Sequence, residues 1–301
     1  MALYEMDPRH FFTVLFTAAT VLGYTYRPDG ASTILVSGPD STARVSLDTL
    51  HRHLSSEPPG DWVSVLADHL ATAITAADAE TQAPLDLSDY AAVGGLLRTR
   101  LYGEEDDDED HVTRPWAPGL IQRLLLDGVQ TVVPVRRDWL RYWPALTDTE
   151  LFALAEDHVR ADGQVQITRA EFGDIEPMAA GLPLFLLTGP EYLTTHASWL
   201  DAHGVTGPAG ALFIVPAKET IYCYPITDLD VIRAATVLAH LAHLVHERDP
   251  WPITPWLYHW HHGTISLAAA TDREGDTVYS TITPRFQRFL NSLTEPTEAG
   301  P

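Results

Sequence analysis

Histidine is the residue type in this chain whose spacing could do chemistry. His240, His243 and Glu247 stand at i, i+3 and i+7 with His246 beside them, so a helix through this stretch carries several metal-ligating side chains on one face. His259 and His261 alternate with Tyr258 and Trp260, which puts the two imidazoles on one face of a strand. Nitrogen and carboxylate donors at such spacings can hold a divalent ion. A metal-dependent hydrolase or a small-molecule-binding enzyme built on this stretch would use His240, His243, His259 and His261. The zinc-protease arrangement is missing, since position 247 holds Glu where a second histidine four residues after His243 would stand. A helical wheel sets Val237, Leu238, Leu241, Leu244 and Val245 on one arc and the histidines on the other with Arg233 and Thr236. That turns the histidines towards solvent as a polar helix face, and no cofactor is assigned.

Other chemistries find less support. Cys223 lies between Tyr222 and Tyr224 in a strand-like run, with no helix N-terminus to lower its pKa, and reads as a buried inert thiol. The sequence has no GxSxG, GxxxxGK[ST] or GxGxxG motif, so no catalytic residue is assigned. Lys218, the only lysine, stands beside Glu219 and reads as a surface turn with a weak ion pair. Trp256, Tyr258 and Trp260 share one face of the strand after the histidine helix, and Trp139, Tyr142 and Trp143 form a second aromatic group. Exposed, the first group would anchor a partner protein; buried, both are core. Arg136, Arg137 and Arg141 neutralise nearby carboxylates on this reading.

The elements that must position these residues lie in 210–263. LFIV, ended by Pro216, is apolar at every position, as a central strand covered on both faces requires. Residues 221–224 alternate and end at Pro225, which suits a strand nearer an edge, and residues 217–219 form a hairpin connection. A helix over 229–246 and strands over 256–261, 264–268 and 277–281 follow, and Pro284 opens a last helix to 293. Upstream, Asp7-Pro8 starts a helix that Gly23 ends, strand-like runs at 24–27, 32–37 and 43–46 form a meander, and Ser46 caps a further helix. A helix begins at Asp61. Residues 131–135, 165–168 and 184–187 read as strands, and 192–200 reads as a helix. Thr147 or Asp148 caps a helix whose stripe is Leu151, Phe152, Leu154 and Ala155.

With 301 residues and 45% hydrophobic content the chain can bury a substantial core. Its 19 basic and 41 acidic residues give a net charge of −22, which repels nucleic-acid phosphates and anionic lipid and favours a basic protein partner. One cysteine excludes an internal disulfide, and the first residues make neither a signal peptide nor a membrane span. The expectation is a cytoplasmic protein. Every position from 104 to 110 is acidic, which reads as a solvated linker.

The N-terminal meander followed by VSLDTLHRHL, the central TVVPVRRDWLRYWPALTDTELFALAEDHVRA, and GALFIVPAKETIYCYP with its following helix resemble the bacterial YtpQ-like proteins, an uncharacterised conserved family. The resemblance implies a bacterial cytoplasmic α+β protein and brings no activity with it. The histidine-rich end near 256–262 falls outside it.

These readings converge on an α+β fold with largely antiparallel or mixed sheets and packed helices in two subdomains. Residues 1–103 form the first, 104–118 the acidic linker and 119–301 the second. The function expected is non-enzymatic binding of another protein, basic in charge, by a factor of the chaperone or immunity type, with no nucleic acid and no membrane as partner.

Overall fold

A computed structural model describes residues 8–29, 33–82, 85–128, 132–170, 177–275 and 277–294. Asp7, Ser32, Thr131 and the tail after Thr294 lie outside the described residues. The fold is α+β with antiparallel sheets, and the chain divides into two compact units. Unit 1 takes in the described parts of 1–96, 127–133 and 248–251; unit 2 takes in those of 97–126, 134–247 and 252–301.

Unit 1 runs α1 (Pro8–Leu22), β1 (Thr25–Pro28), β2 (Thr33–Ser37), β3 (Thr42–Ser46), α2 (Leu47–Ser56), α3 (Trp62–Gln82) and the short α4 (Tyr90–Val93). Gly23, at φ +71°, takes the left-handed conformation that ends α1, and Ser46 caps α2 by accepting from Thr49 N at 3.3 Å. The meander is antiparallel in the order β1-β2-β3. Its alternation turns Ile34, Val36, Ala43 and Val45 inward against Leu15, Leu50, Leu66 and Leu70. Each such leucine, fully buried, contributes about 2 kcal/mol before entropy is counted.

Unit 2 contains two sheets. The smaller includes β4 (Leu97–Gly103), β5 (Thr113–Ala117) and β6 (Leu120–Asp127), hydrogen-bonded in the order β4-β6-β5. The chain passes from unit 1 into unit 2 within β7 (Val132–Pro134), and α5 (Asp148–Ala161) follows in unit 2, opening with a capping box between Thr147 and Glu150. The larger sheet has seven strands, β8 (Gln166–Arg169), β9 (Phe185–Thr188), β10 (Ala211–Ala217), β11 (Thr220–Pro225), β12 (Leu257–His261), β13 (Thr264–Glu274) and β14 (Thr277–Ile282). Their order is β14-β13-β12-β10-β11-β9-β8, all neighbours antiparallel.

Strand β10 is the middle of the seven and buried at every position. The reason is that both faces are covered. Leu212, Ile214, Tyr222 and Tyr224 pack with α6 (Val231–Arg248) and α7 (Pro284–Thr294), while Phe213, Val215, Ile221 and Cys223 pack with the segment Leu193–His203. That segment, expected as an α-helix, is a run of 3-10 turns broken at Trp199 (φ −128°, ψ 45°). Its threonines close the free edge of β4: Leu101 N donates to Thr194 Oγ1 at 3.1 Å, and Thr195 Oγ1 donates to Thr99 O at 2.6 Å. Among the described residues no helix is long and apolar enough to cross a membrane.

Candidate functional site

The helix face predicted for the histidines is displaced. The buried side of α6 is Val231, Ala234, Val237, Leu238, Ala239, Ala242 and His243, while Leu244 is exposed. Alanines carry much of this contact because a small side chain lets the helix approach the sheet closely; the buried side keeps Val237 and Leu238 of the expected arc, with Leu241 and Val245 partly buried against the core, but extends far enough to enclose His243 and leave Leu244 exposed. His243 is therefore a core residue. Thr271 Oγ1 spends its one proton on Pro255 O at 2.6 Å, so it accepts from His243 Nε2 at 3.1 Å. His259 is buried too, and its Nε2 donates to Ala209 O at 3.1 Å. Burial is the main cause that pushes both imidazoles below their ordinary pKa.

Both Nε2 atoms are thus used as donors, which removes them as metal ligands. His240 is half-buried, Glu247 pairs with Arg273 at 2.5 Å, and His261 stacks on His259 at 5.8 Å between ring centres. The structure does not gather His240, His243, His259 and His261 into one ligand set. Among the described residues no group of three or more His, Cys, Asp or Glu side chains is placed to hold a metal ion.

The aromatic strand face is core as well. Tyr258 is buried, with its hydroxyl donating to Pro118 O at 3.0 Å, and Trp260 is buried, with Nε1 donating to Ser198 O at 3.1 Å. Their polar ends are satisfied internally, so neither is available as a surface anchor. Trp256 is half-buried, and its ring lies against Gly119 so closely that a Cβ there would sit 2.4 Å from it. Gly119, at φ +77°, and Pro118 make the turn joining β5 to β6. Cys223 is fully buried and its thiol is pushed up in pKa, as an inert core cysteine should be. Lys218, read from the sequence as pairing with its neighbour Glu219, pairs with Glu191 Oε1 at 2.6 Å.

What sequence reasoning missed is the smaller sheet. Its acidic run, 104–110, connects β4 to β5 within unit 2 and is exposed throughout. Glu104 N donates to Gly119 O at 3.0 Å and Arg137 N to Asp110 O at 2.8 Å. Arg123 Nη2 donates to Asp106 O, Arg137 Nε to Glu109 O, and Arg136 lies 3.9 Å from Asp110 Oδ2. Main-chain bonds therefore hold the loop while its carboxylates face solvent. Beside it lies a cleft of about 360 Å³ with Glu104 and Asp107 on its rim and Pro115, Trp116, Pro118 and Ile121 among its lining. Trp116 is fixed by Nε1 donating to Ser198 Oγ at 3.1 Å and by an edge-on contact with Phe213.

Arginine also lines this sheet. Arg98 pairs with Asp162, and Arg114 pairs with Glu156 while lying over the ring of Phe152. Arg100 and Arg123 stand directly opposite each other on β4 and β6. The signal that could have located β4 was the alternation of Leu97, Thr99 and Leu101 with Arg98, Arg100 and Tyr102, a period of two. No protein-family model, no curated protein and no solved structure matches the chain.

Proposed function

We propose that this chain is a non-enzymatic protein-binding factor whose acid-rimmed cleft receives a lysine or arginine side chain from a basic segment of its partner. The observation that carries the reading is the cleft itself, whose lining combines the exposed acidic residues Glu104 and Asp107 with the apolar Pro115, Trp116, Pro118 and Ile121. A long basic side chain has the matching construction, an aliphatic stem and a charged head, and the indole of Trp116 favours a cation near its face. The net charge of −22 adds long-range attraction for such a partner and speeds encounter. The chaperone or immunity type of factor, acting in the cytoplasm, belongs to the same reading.

The test is fluorescence titration of the full chain with an oligoarginine peptide, against an oligoglutamate control. Binding is expected at low salt and weakens as salt rises. Two solvent-exposed ion pairs together contribute roughly 1 kcal/mol, so Glu104→Gln combined with Asp107→Asn should weaken binding about fivefold, and Trp116→Leu should weaken it without changing the salt slope. Equal affinity in the double variant and the parent overturns the reading.

A further inference from the structure

Arg100 and Arg123 carry an inference independent of the cleft. As directly opposed residues of an antiparallel pair they leave the same face of the sheet, and they are only 6% and 7% exposed. The Arg100 guanidinium lies 4.9 Å from the centre of the Tyr192 ring, and that of Arg123 lies 4.2 Å from Tyr102. Arg100 Nη2 donates to Glu191 Oε1 at 2.7 Å and to Glu191 O at 3.2 Å, and Lys218 Nζ reaches the same Oε1 at 2.6 Å. Arg123 has only a main-chain carbonyl, that of Asp106, as hydrogen-bond acceptor, and among the described residues no carboxylate forms an ion pair with it. Nε of both arginines is buried without an acceptor.

Arg100 and Lys218 therefore share one carboxylate, Glu191, while Arg123 has none, inside a strongly acidic chain. A buried cation lacking a counter-charge is strongly disfavoured, and an aromatic face offsets only part of that penalty. The surface carboxylates would repel an anion at long range, but at physiological salt their field decays over about 8 Å, so the local guanidinium pair decides. Glu191 is itself 47% exposed on its side chain, which leaves its Oε1 position open to exchange with a group arriving from solvent.

We propose that Arg100 and Arg123 form a binding site for a small oxyanion, a carboxylate or phosphate group, and that Glu191 is the internal carboxylate competing with it. Two planar guanidinium forks offer the paired donors that such an oxyanion accepts. Lys218 supplies a further donor at the oxygen position Glu191 now fills.

The experiment is calorimetric titration of the full chain with inorganic phosphate and, separately, with succinate, using chloride as the control. Binding of either probe in the millimolar range is expected, and which of the two binds identifies the preferred oxyanion. Loss of one charge-assisted hydrogen-bonding partner is worth at least about tenfold in affinity, so Arg123→Met should weaken binding by that factor, and Glu191→Gln should tighten it. Arg123→Lys, which keeps the charge and loses the fork, should fall between the parent and Arg123→Met, and circular dichroism verifies the fold of each variant. Absence of binding to both the parent and Glu191→Gln, or unchanged affinity in folded Arg123→Met and Arg123→Lys, overturns the proposal.

Discussion

The two sheets of unit 2 fill their interiors in opposite ways. Strand β10 is hydrocarbon on both faces, with Phe213 on one and Leu212 and Ile214 on the other, all without measurable exposure. Strands β4 and β6 of the smaller sheet place two buried arginines at directly opposed positions of one face, where an apolar pair would pack at no electrostatic cost. The first arrangement needs only volume and shape. The second needs an opposite charge, and Glu191 supplies one for Arg100 while Arg123 has a carbonyl. The larger sheet is thus filled by hydrocarbon, and the smaller carries a buried polar pair, the feature on which the proposed oxyanion site rests.

That contrast can be broken most forcefully at Phe213. Truncation to Ala removes a ring buried between Trp116, Tyr258 and the 3-10 segment, and urea unfolding should show a loss of about 3–5 kcal/mol; a loss below about 1 kcal/mol would mean that the core relaxes freely there. Arg123→Met should act with the opposite sign. Replacing an uncompensated buried charge by a side chain of similar length should raise stability by about 1–3 kcal/mol in phosphate-free buffer. A marked destabilisation would instead assign Arg123 a structural role in holding the acidic loop.

The smallest effect belongs to the segment that touches both sheets. His196 Nδ1 and His203 Nε2 lie 3.1 Å apart, and burial first, then the His203 charge, lowers His196 from 6.5 to about 4. Burial lowers His203 as well, against the pull of Asp201. Because the folded pair resists protonation, the unfolded chain takes up protons first. The stability the pair contributes is complete above pH 6.5 and declines as the pH falls towards 4. Urea midpoints measured at neutral and mildly acid pH should therefore separate more in the parent than in His203→Asn. Equal pH dependence in both would show that the pair does not titrate in this window.

Legibility in the sequence followed the same divide. LFIV, whose strand runs on through the Pro216 expected to stop it as far as Ala217, the hairpin to Tyr222 and Tyr224, the Thr147 capping box and the meander of unit 1 are short-range patterns that state their own structure, and the fold class follows from them. Strands β4 and β6 escaped because Arg100 and Arg123 are buried although arginine ordinarily marks a solvent face, so β4's alternation does not separate inside from outside and β6's apolar run is interrupted by Gln122 and Arg123. The core-facing side of α6 was legible at Val237 and Leu238 and missed at His243, because Ala234, Ala239 and Ala242 extend the contact and a hydrophobic scale gives them little weight. Pairings such as Arg100 with Glu191 and Lys218 join parts of the chain far apart in sequence, and no local pattern encodes them.

The threonine closure of β4 has a consequence for assembly. An exposed strand edge is an open template on which another molecule can add a strand. At β4 the hydroxyls of Thr194 and Thr195 already occupy the Leu101 amide and the Thr99 carbonyl, so side chains of the same molecule act as a terminator. Growth of the smaller sheet at its β4 edge is blocked within one chain, and a stranger's strand finds those two backbone groups already taken.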